Sequence, residues 1–346
     1  RSGLPHAAAH DPPKRLALCG DLPDESSCDM KRALVLGASG HIGAHVTRAL
    51  LSLGYAVRAT YRNPRYAFLL DGLTVERVQV DLDQPQQLRR AAEGCDWVFC
   101  CAGFYPSFTA PRRPSIQRGI EHVRRVFDVL GSGRPERVVY TSSSATIAPQ
   151  HDRPATEADV ESWPLAHWRP LYATVKIAME HEVRRYVQDG LPVVITKPSV
   201  CLGEYDARPF SGRLVLLFAS GRLPVYLDHE LNAVYTGDVG LGHVLAAERG
   251  RIGESYLLAA HQVRLGELAR LVAREAGVRP PRWRLPYPMV AAAALASEAV
   301  AVVMRREPLF PLRVVQSARH RQWLDGSKAQ RELGLTYTPL EQAVRR

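Results

Sequence analysis

The sequence predicts an α/β protein in which a doubly wound parallel sheet is followed by a smaller C-terminal lobe. Short apolar, β-branched runs alternate with helical patterns from Lys31 onward, as they do in a parallel sheet covered by helices on both faces. A glycine-rich turn joins the first strand to the first helix. After about Gly203 the alternation loosens, and proline and aromatic residues become more frequent. We expect that last part to form the lobe.

The pattern assigns six strands and four helices in order. The predicted strands are residues 33–36, 56–61, 74–80, 97–101, 137–142 and 192–197. The predicted helices are residues 42–53, 86–93, 116–130 and 172–189. Residues 1–29 lack periodicity and are predicted to be an N-terminal extension. Residues 30–200 then form the sheet domain, and residues 201–346 form mainly the lobe, with one strand returning to the core sheet.

Composition narrows the class of protein. The 346 residues are 46% apolar and 23% charged, with a net charge of +10, which excludes collagen-like and disordered chains. The excess of basic residues favours anionic partners, namely phosphates, nucleotides, nucleic acid or a membrane surface. It is spread along the chain rather than gathered in a stripe, so nucleic-acid binding is not expected. The six cysteines have irregular spacing without Cys-x-x-Cys, which favours a reducing, cytoplasmic compartment over disulfides or zinc.

One segment resembles a membrane helix in composition. Residues 289–304 are rich in alanine and valine, but Ser297 and Glu298 interrupt them, and the run is shorter than the ~20 residues that a span needs. We predict a buried or interfacial amphipathic helix and no stable membrane insertion. The first 29 residues lack the apolar core of a secretory signal.

The turn after the first strand has the pattern of a phosphate-binding loop. It reads Gly37-Ala38-Ser39-Gly40-His41-Ile42-Gly43 and opens the first helix. Glycines there allow a tight turn and close approach of the backbone to a pyrophosphate, and the helix N-terminus supplies unpaired N–H groups. The strand–turn–helix context predicts a Rossmann dinucleotide site that includes Ser39, His41 and Ile42. His41 and His45 are four residues apart, but no third ligand is evident, so no metal site is predicted.

The end of the second strand indicates which dinucleotide is bound. NAD-selective sites usually place an acidic residue there, whereas this sequence has Tyr61 and Arg62. An arginine suits a 2′-phosphate, so NADP is favoured over NAD. Two dipeptides that follow later strands are further candidates for contact with the cofactor: Asp81-Leu82 near the adenine and Ala102-Gly103 along the dinucleotide channel.

A tyrosine and a lysine lie one helical turn apart in the fourth predicted helix. Tyr172 and Lys176 are at i and i+4, so they share a helix face. A tyrosine of pKa about 10 is a poor base near neutrality, but a nearby ammonium lowers its pKa. This pair predicts an acid/base tyrosine for hydride transfer at an alcohol or ketone, with Lys176 also holding the ribose. The fifth strand ends in serines at 142–144, whose hydroxyls are candidates to bind the same substrate oxygen.

These three motifs, in this order, resemble those of the extended short-chain dehydrogenase/reductase superfamily from about residue 30 to the C-terminus. Residues 57–64 and 138–143 look like dihydroflavonol 4-reductase-like reductases. Residues 285–288, 325–329 and 332–334 look like nucleotide-sugar epimerases of the hopanoid-associated type. The resemblance implies that Ser143 is the catalytic serine, with Ser144 as the alternative or a substrate contact. It also implies that Pro198 and Ser199 border the nicotinamide and that Tyr235 borders the substrate.

Some positions depart from the pattern of the sugar enzymes. Val200 stands where nucleotide-sugar enzymes often carry asparagine, and Ser144-Ala145 lacks the acidic pair of the dehydratases. Arg213 is a candidate contact for a substrate diphosphate, or simply a solvated arginine. The loop of residues 152–170, with Trp163, His167 and Trp168, is either a lid over the substrate or a packing loop.

We carry three hypotheses for the function. The first is a nucleoside-diphosphate-sugar epimerase, which keeps its cofactor bound. The second is an NADPH-dependent ketone reductase, which exchanges its cofactor in each turnover. The third is a non-catalytic dinucleotide sensor, which the intact Tyr172–Lys176 pair disfavours. The resemblance further implies a homodimer through the helices predicted at 116–130 and 172–189.

Overall fold

Seven parallel strands form the main sheet of this computed structural model. It describes residues 31–107, 110–160, 170–209, 212–227, 229–304, 312, 315 and 323–346. The strands are β1 (Arg32–Leu36), β2 (Ala56–Tyr61), β3 (Glu76–Gln79), β4 (Trp97–Cys100), β5 (Arg137–Thr141), β6 (Val193–Pro198) and, after three lobe strands, β10 (Ser255–Leu258). Their order across the sheet is β10-β6-β5-β4-β1-β2-β3. Each pair of neighbours is parallel, so the predicted doubly wound Rossmann sheet is confirmed.

Helices cover both faces of the sheet. They are α1 (His41–Ser52), α2 (Pro85–Ala92), α3 (Arg112–Gly133), α4 (Leu171–Gln188) and α6 (Thr236–Arg249). α1 packs on α6 at one face, and α3 packs on α2 and α4 at the other. The side chains of β1, β4, β5, β6 and β10 are almost fully buried against these helices and contribute to one apolar cluster on each face. Such double burial explains why these strands are mostly apolar rather than alternating, whereas β2 and β3 carry polar and partly exposed side chains.

The C-terminal lobe is built from small sheets and further helices. β7 (Val200–Leu202), β9 (Glu230–Tyr235) and β11 (His261–Arg264) form a three-stranded sheet, and β8 (Val225–Leu227) pairs with β12 (Trp283–Leu285). The helices are α5 (Gly212–Ala219), α7 (Leu265–Glu275), α8 (Tyr287–Met304) and α9 (Leu340–Arg345). The chain leaves the lobe to add β10 to the main sheet beside β6, so the lobe is attached to the core by several chain crossings.

The predicted elements agree with the structure to within a few residues at most ends. The largest difference is at α3, which begins at Arg112 rather than 116. Pro114 lies in its first turn, where the backbone N–H groups have no partner within the helix, so a proline costs little there. Of the residues described, no helix has the length and apolar content needed to cross a bilayer. Residues 1–29 and the aromatic residues 163, 167 and 168 lie outside the described part of the chain.

Candidate active site

A cavity of about 1550 Å³ opens at the carboxyl ends of the main strands and extends into the lobe. The strand order reverses between β1 and β4, and in doubly wound sheets ligands bind at that switch point. The turns after both strands, at Gly37 and at Ala102-Gly103, line the cavity. Typical small-molecule sites measure about 300–1,000 Å³, so this cavity has room for a dinucleotide together with a substrate.

Neighbouring atoms leave no room for a side chain at Gly37 or Gly43 in the glycine loop. Gly37 has φ +79°, and a Cβ on it would lie 2.8 Å from the Cβ of Ala102. A Cβ on Gly43 would lie 2.2 Å from the carbonyl oxygen of Gly37. The loop is held by hydrogen bonds from Gly40 N to Gly37 O (2.9 Å) and from Gly37 N to Thr60 Oγ1 (3.0 Å). The N-cap residue of α1 is Gly40, which has no side chain to cap the helix, so the first amides of α1 face the cavity as an anion site.

Substituting Gly43 with alanine tests this packing. The added methyl group meets a backbone oxygen that cannot move without opening the loop, so we expect a loss of about 1–3 kcal/mol of stability, as for overpacked sites. Dinucleotide affinity should fall by at least about tenfold, since misplaced amides lose charge-assisted hydrogen bonds. Thermal unfolding and fluorescence titration measure the two effects. Gly131→Ala is the matched control, because a Cβ there meets nothing within 4 Å; equal effects in both variants would contradict the argument.

Polar side chains gather at the end of the cavity next to β2 and β3. Arg62, Asp81 and Leu82, the residues predicted to contact the adenosine, line this end, and so do Tyr66 and Arg208, which no motif had indicated. The Arg208 guanidinium lies 4.7 Å from the centre of the Tyr66 ring, in a cation–π contact. The described residues at the end of β2 include no carboxylate. Two arginines therefore face this end of the cavity, which suits a bound phosphate.

His41 and Ser199 each have a buried polar atom that lacks a hydrogen-bond partner in the described part of the chain, and a bound dinucleotide could supply one. His41 Nε2 and Ser199 Oγ are buried without a hydrogen bond, and both residues line the cavity. Burial lowers the pKa of His41, with Asp206 opposing the shift, so the ring is neutral at pH 7 and can donate one hydrogen bond. Unpaired buried polar atoms are costly. A bound pyrophosphate at His41 and a cofactor or substrate group at Ser199 would satisfy them.

Ser143, Tyr172 and Lys176 come together near the centre of the cavity. Ser143 lies just beyond the end of β5, and its side chain hydrogen-bonds that of Tyr172 at the start of α4. Lys176, one turn later, is 2% exposed. A Cβ on Gly103 would lie 2.9 Å from the Lys176 ammonium, so the lysine reaches across to the end of β4. Ser144, Pro198 and Ser199 line the same part of the cavity.

Burial and hydrogen bonds act in opposite directions on these groups. Desolvation outweighs the hydrogen bonds with Ser143 and Tyr105 and raises the pKa of Tyr172, so the lowering predicted from the Lys176 ammonium is not observed. Burial lowers the pKa of Lys176 to about 8, with Glu180 opposing the shift. Tyr172 is therefore a neutral phenol at pH 7, and Lys176 is mostly an ammonium. This arrangement can donate a proton to an oxygen and stabilise the phenolate that remains.

Tyr105 is a candidate site residue that the sequence analysis missed. Its ring stacks on that of Tyr172 with centroids 5.5 Å apart and planes at 22°. The two side chains share a hydrogen bond, and the Lys176 ammonium lies 4.9 Å from the Tyr105 ring centre. Tyr105 follows β4 in a loop without a recognisable motif, so no sequence signal pointed to it. Only the folded chain brings it against α4.

A buried ionic network holds the turn that contains Ser143. The Glu180 carboxylate accepts hydrogen bonds from Lys197 (2.7 Å), Ser142 (2.6 Å) and Thr146 (3.0 Å). Glu180 and Lys197 have side chains that are 2% and 0% exposed. Because Ser142 and Thr146 flank Ser143, the network holds the chain on both sides of that serine. The sequence analysis did not identify this pair, since its members lie on α4 and β6.

The lobe end of the cavity is apolar. Its lining from residue 212 onward includes no lysine, arginine, aspartate or glutamate among the residues described. The main contributors are Leu214, Leu217, Phe218, Leu223, Leu231 and Leu285. Such a surface favours an apolar ligand, because burying charged phosphate groups without partners is costly.

Two predicted substrate contacts do not lie in the cavity lining. The hydroxyl of Tyr235 donates to Glu204 (2.7 Å) and accepts from Arg346 (3.2 Å), while the ring packs on His45 behind the glycine loop. Arg213 is exposed on the first turn of α5 and points away from the lining set. The structure therefore does not support substrate contacts by these two residues. Among the described residues, no group of three or more histidine, cysteine, aspartate or glutamate side chains is placed to hold a metal ion.

A model of the NAD dependent epimerase/dehydratase family matches residues 33–259. The chain belongs to this family. It is therefore an NAD(P)-dependent enzyme of the extended short-chain dehydrogenase/reductase type, and the superfamily resemblance is confirmed. It binds a nicotinamide dinucleotide as its cofactor, and the glycine loop, His41 and Ser199 described above suit that ligand.

The relatives of this chain have names from both the reductase branch and the epimerase branch of the superfamily. It is 29% identical over 315 residues to a putative dihydroflavonol 4-reductase of Synechocystis, covering 90% of this chain and 91% of that protein. It is 31% identical over 312 residues to sterol demethylase protein B of Methylococcus capsulatus, covering 88% and 93%. The structure of a nucleoside-diphosphate-sugar epimerase from Pseudomonas aeruginosa superposes with a TM-score of 0.73 at 27% identity, covering 92% and 96%.

Proposed function

We propose that this protein is an NADPH-dependent reductase that converts an apolar ketone to a secondary alcohol. The observation that carries the proposal is the apolar lobe end of the cavity, which has no lysine or arginine among its described lining residues from 212 onward. A nucleotide sugar carries two phosphates, which proteins bind with arginines, lysines or helix N-termini. The names of the Synechocystis and Methylococcus relatives, a dihydroflavonol reductase and a sterol demethylase component, accord with a substrate of low polarity.

The chemistry assigns a separate role to each group at the centre of the cavity. Bound NADPH supplies the hydride that goes to the carbonyl carbon. Tyr172 gives its phenolic proton to the carbonyl oxygen, so that hydride and proton together make the alcohol. Ser143 donates a hydrogen bond to the same oxygen and orients it. The Lys176 ammonium stabilises the phenolate left on Tyr172 and holds the cofactor ribose. Tyr105 is placed to donate to Tyr172 and adds to that stabilisation.

A second candidate is the nucleoside-diphosphate-sugar epimerase that the sequence analysis ranked first. Its support is the structural likeness to the Pseudomonas aeruginosa epimerase and the motifs after residue 285. The two functions differ in how they handle the cofactor. An epimerase takes a hydride from the sugar and returns it to the other face, so it keeps its NAD, whereas a reductase must exchange NADP+ for NADPH in every turnover.

The nucleotide content of the purified protein distinguishes these functions. We would purify the chain without added cofactor, denature it and identify any released dinucleotide by mass spectrometry. We expect no stoichiometric NAD, and we expect NADPH to bind the emptied protein more tightly than NADH. NADPH oxidation with a panel of apolar ketones then gives the activity. Stoichiometric NAD that exchanges slowly would overturn the reductase proposal and support the epimerase.

Cofactor choice is predicted to depend on Arg62. Arg62→Glu should weaken NADPH binding by about 10- to 100-fold, because a charge-assisted bond worth about 1.5–3 kcal/mol is replaced by repulsion. NADH affinity should change little or improve, since a carboxylate accepts from the ribose hydroxyls. Fluorescence titration with both cofactors measures this. Arg65→Glu is the control, because Arg65 is exposed near the same turn and does not line the cavity. A parallel loss of both cofactors in Arg62→Glu would refute the assignment.

We also propose that two copies pair through α3 and α4, as the superfamily resemblance implied. These helices pack on each other, and ion pairs between them, such as Arg124–Glu182 (2.8 Å), are partly exposed at the surface. Light scattering at several protein concentrations measures the assembly, and a monomer at all of them would refute the pairing.

A further inference from the structure

Helix α8 has an exposed half that is entirely apolar among its described side chains. Successive helical residues step by about 100°, and on this wheel all the exposed side chains of α8 fall within one half-turn. The large ones are Met289, Leu295, Val300, Val303 and Met304, with exposed fractions of 54–83%. Four exposed alanines fill the spaces between them. Surface helices of proteins in water normally show a polar outer face, and contiguous apolar patches mark contact sites.

The polar residues of α8 are on the opposite half, which faces the protein. Ala294 and Ala301 are buried there, and Ser297 and Glu298 are half-buried. The Glu298 carboxylate accepts a hydrogen bond from the backbone N–H of Leu312 (2.8 Å). The usual polarity of a surface helix is therefore reversed, and the acidic residue that interrupts the apolar run does not reach the outer face.

Basic and aromatic residues lie just before the apolar helix. Between residues 276 and 304 the described part of the chain has three arginines, at 279, 282 and 284, all of them exposed, and one acidic residue, Glu298. Trp283, just before the helix, is 62% exposed. Tryptophan and arginine beside an apolar helix face are typical of segments that lie in the interface of an anionic bilayer. The net charge of +10 adds attraction to such a surface.

The same helix forms part of the cavity wall. Val290 and Ala293 of α8 line the apolar lobe end, together with Leu285 just before the helix. One face of this segment thus borders the proposed substrate site, while the other is exposed to the surroundings. A compound dissolved in the bilayer would have to cross only this helix layer to reach the cavity.

We propose that the outer face of α8 binds the surface of an anionic lipid bilayer, with the helix lying in the plane of the interface. This contact places the lobe end of the cavity next to the lipid, from which an apolar substrate enters. The evidence for the membrane contact is the apolar face of α8 and the arginines near it. The idea that this contact delivers substrate rests on the proposed reductase function. A second copy of the chain is a poorer occupant, because pairing these faces would bring the arginines of both copies together.

Flotation with lipid vesicles tests the contact. The full chain is mixed with vesicles of phosphatidylcholine and phosphatidylglycerol, or of phosphatidylcholine alone, and centrifuged through a sucrose gradient. We expect it to float with the anionic vesicles and to be released by salt. The double variant Val300→Glu/Val303→Glu should bind at least about tenfold more weakly, since two charges replace apolar contacts with lipid. Ile252→Glu is the matched control, because Ile252 is 55% exposed and lies outside α8.

The outcomes separate this inference from the proposed function. Both substituted valines are exposed, so the variant should keep its circular dichroism spectrum and its NADPH affinity. Failure of the wild-type chain to float, or equal flotation of wild type and double variant, would overturn the membrane contact even if ketone reduction is found. A wild-type dimer that the double variant converts to a monomer, without vesicle binding, would assign the face to a second copy. Normal flotation with no reductase activity would refute the proposed function alone.

Discussion

Replacing Tyr172 with phenylalanine is expected to lower kcat by about 10²- to 10⁴-fold, the range that a positioned general acid contributes. The variant keeps the aromatic ring that stacks on Tyr105 but has no proton to give to the carbonyl oxygen. Cofactor affinity should change little, because the proposed dinucleotide contacts of the glycine loop and Lys176 are intact. Steady-state kinetics with an apolar ketone and NADPH titration measure the two quantities.

The control for this substitution lies on the same helix. Tyr186 is also in α4, and its hydroxyl donates to Asp128 at 2.5 Å, away from the cavity. Tyr186→Phe removes an equivalent hydroxyl and should leave kcat within about twofold, as expected for a surface change away from the site. If Tyr172→Phe keeps full turnover, or if both variants lose it equally, the catalytic assignment of Tyr172 is wrong.

Replacing Lys197 with methionine is expected to cost about 3–5 kcal/mol of stability, as for breaking a buried ion pair by removing one member. The side chains of Lys197 and Glu180 are 0% and 2% exposed, so the buried carboxylate loses its buried cationic partner and keeps only the more exposed Arg184, at 2.8 Å, among the described cations that pair with it. Urea unfolding measures the loss. Because the pair also holds the turn that contains Ser143, we expect a rise in the KM for the ketone in addition to the loss of stability.

Two variants make this prediction specific. In Lys197→Met/Glu180→Leu both charges are replaced, and most of the lost stability should return, since apolar residues often replace a buried pair without penalty. Lys31→Met breaks the exposed ion pair of Lys31 with Glu136, whose side chains are 45% and 54% exposed, and should cost about 0–1 kcal/mol. A small effect of Lys197→Met, or a double variant less stable than the single one, would contradict the role of the network.

The same network predicts a dependence of stability on pH. Burial alone would raise the pKa of Glu180, but Lys197 and the hydrogen bonds outweigh it and lower the pKa to about 2. A carboxyl whose pKa is lower in the folded than in the unfolded protein stabilises the fold above its unfolded pKa. That contribution should therefore be present above pH 4.5, the ordinary value, and be lost as the pH falls toward 2. In the double variant this part of the acid sensitivity should be absent.

Local patterns along the chain were enough to predict the architecture. Doubly buried strands have continuous apolar runs, and the glycine loop lies between a strand and a helix, so the order of elements and the Rossmann sheet follow from short-range information. The Tyr172–Lys176 pair is also a local pattern, because residues four apart share a helix face. Most candidate site residues that belong to these motifs, including Arg62, Gly103 and Ser143, do line the cavity.

Contacts between distant segments were decided only by the tertiary structure. Tyr105 reaches Tyr172 across 67 positions, and Lys197 reaches Glu180 between a strand and a helix. No sequence pattern signals either contact. Tyr235 and Arg213, predicted as substrate contacts, do not line the cavity, since a motif does not specify which side of its element faces the cavity. The apolar lobe end and the outward apolar half of α8 likewise depend on which face each helix buries. Composition sets how apolar a segment is, whereas packing decides where that surface points.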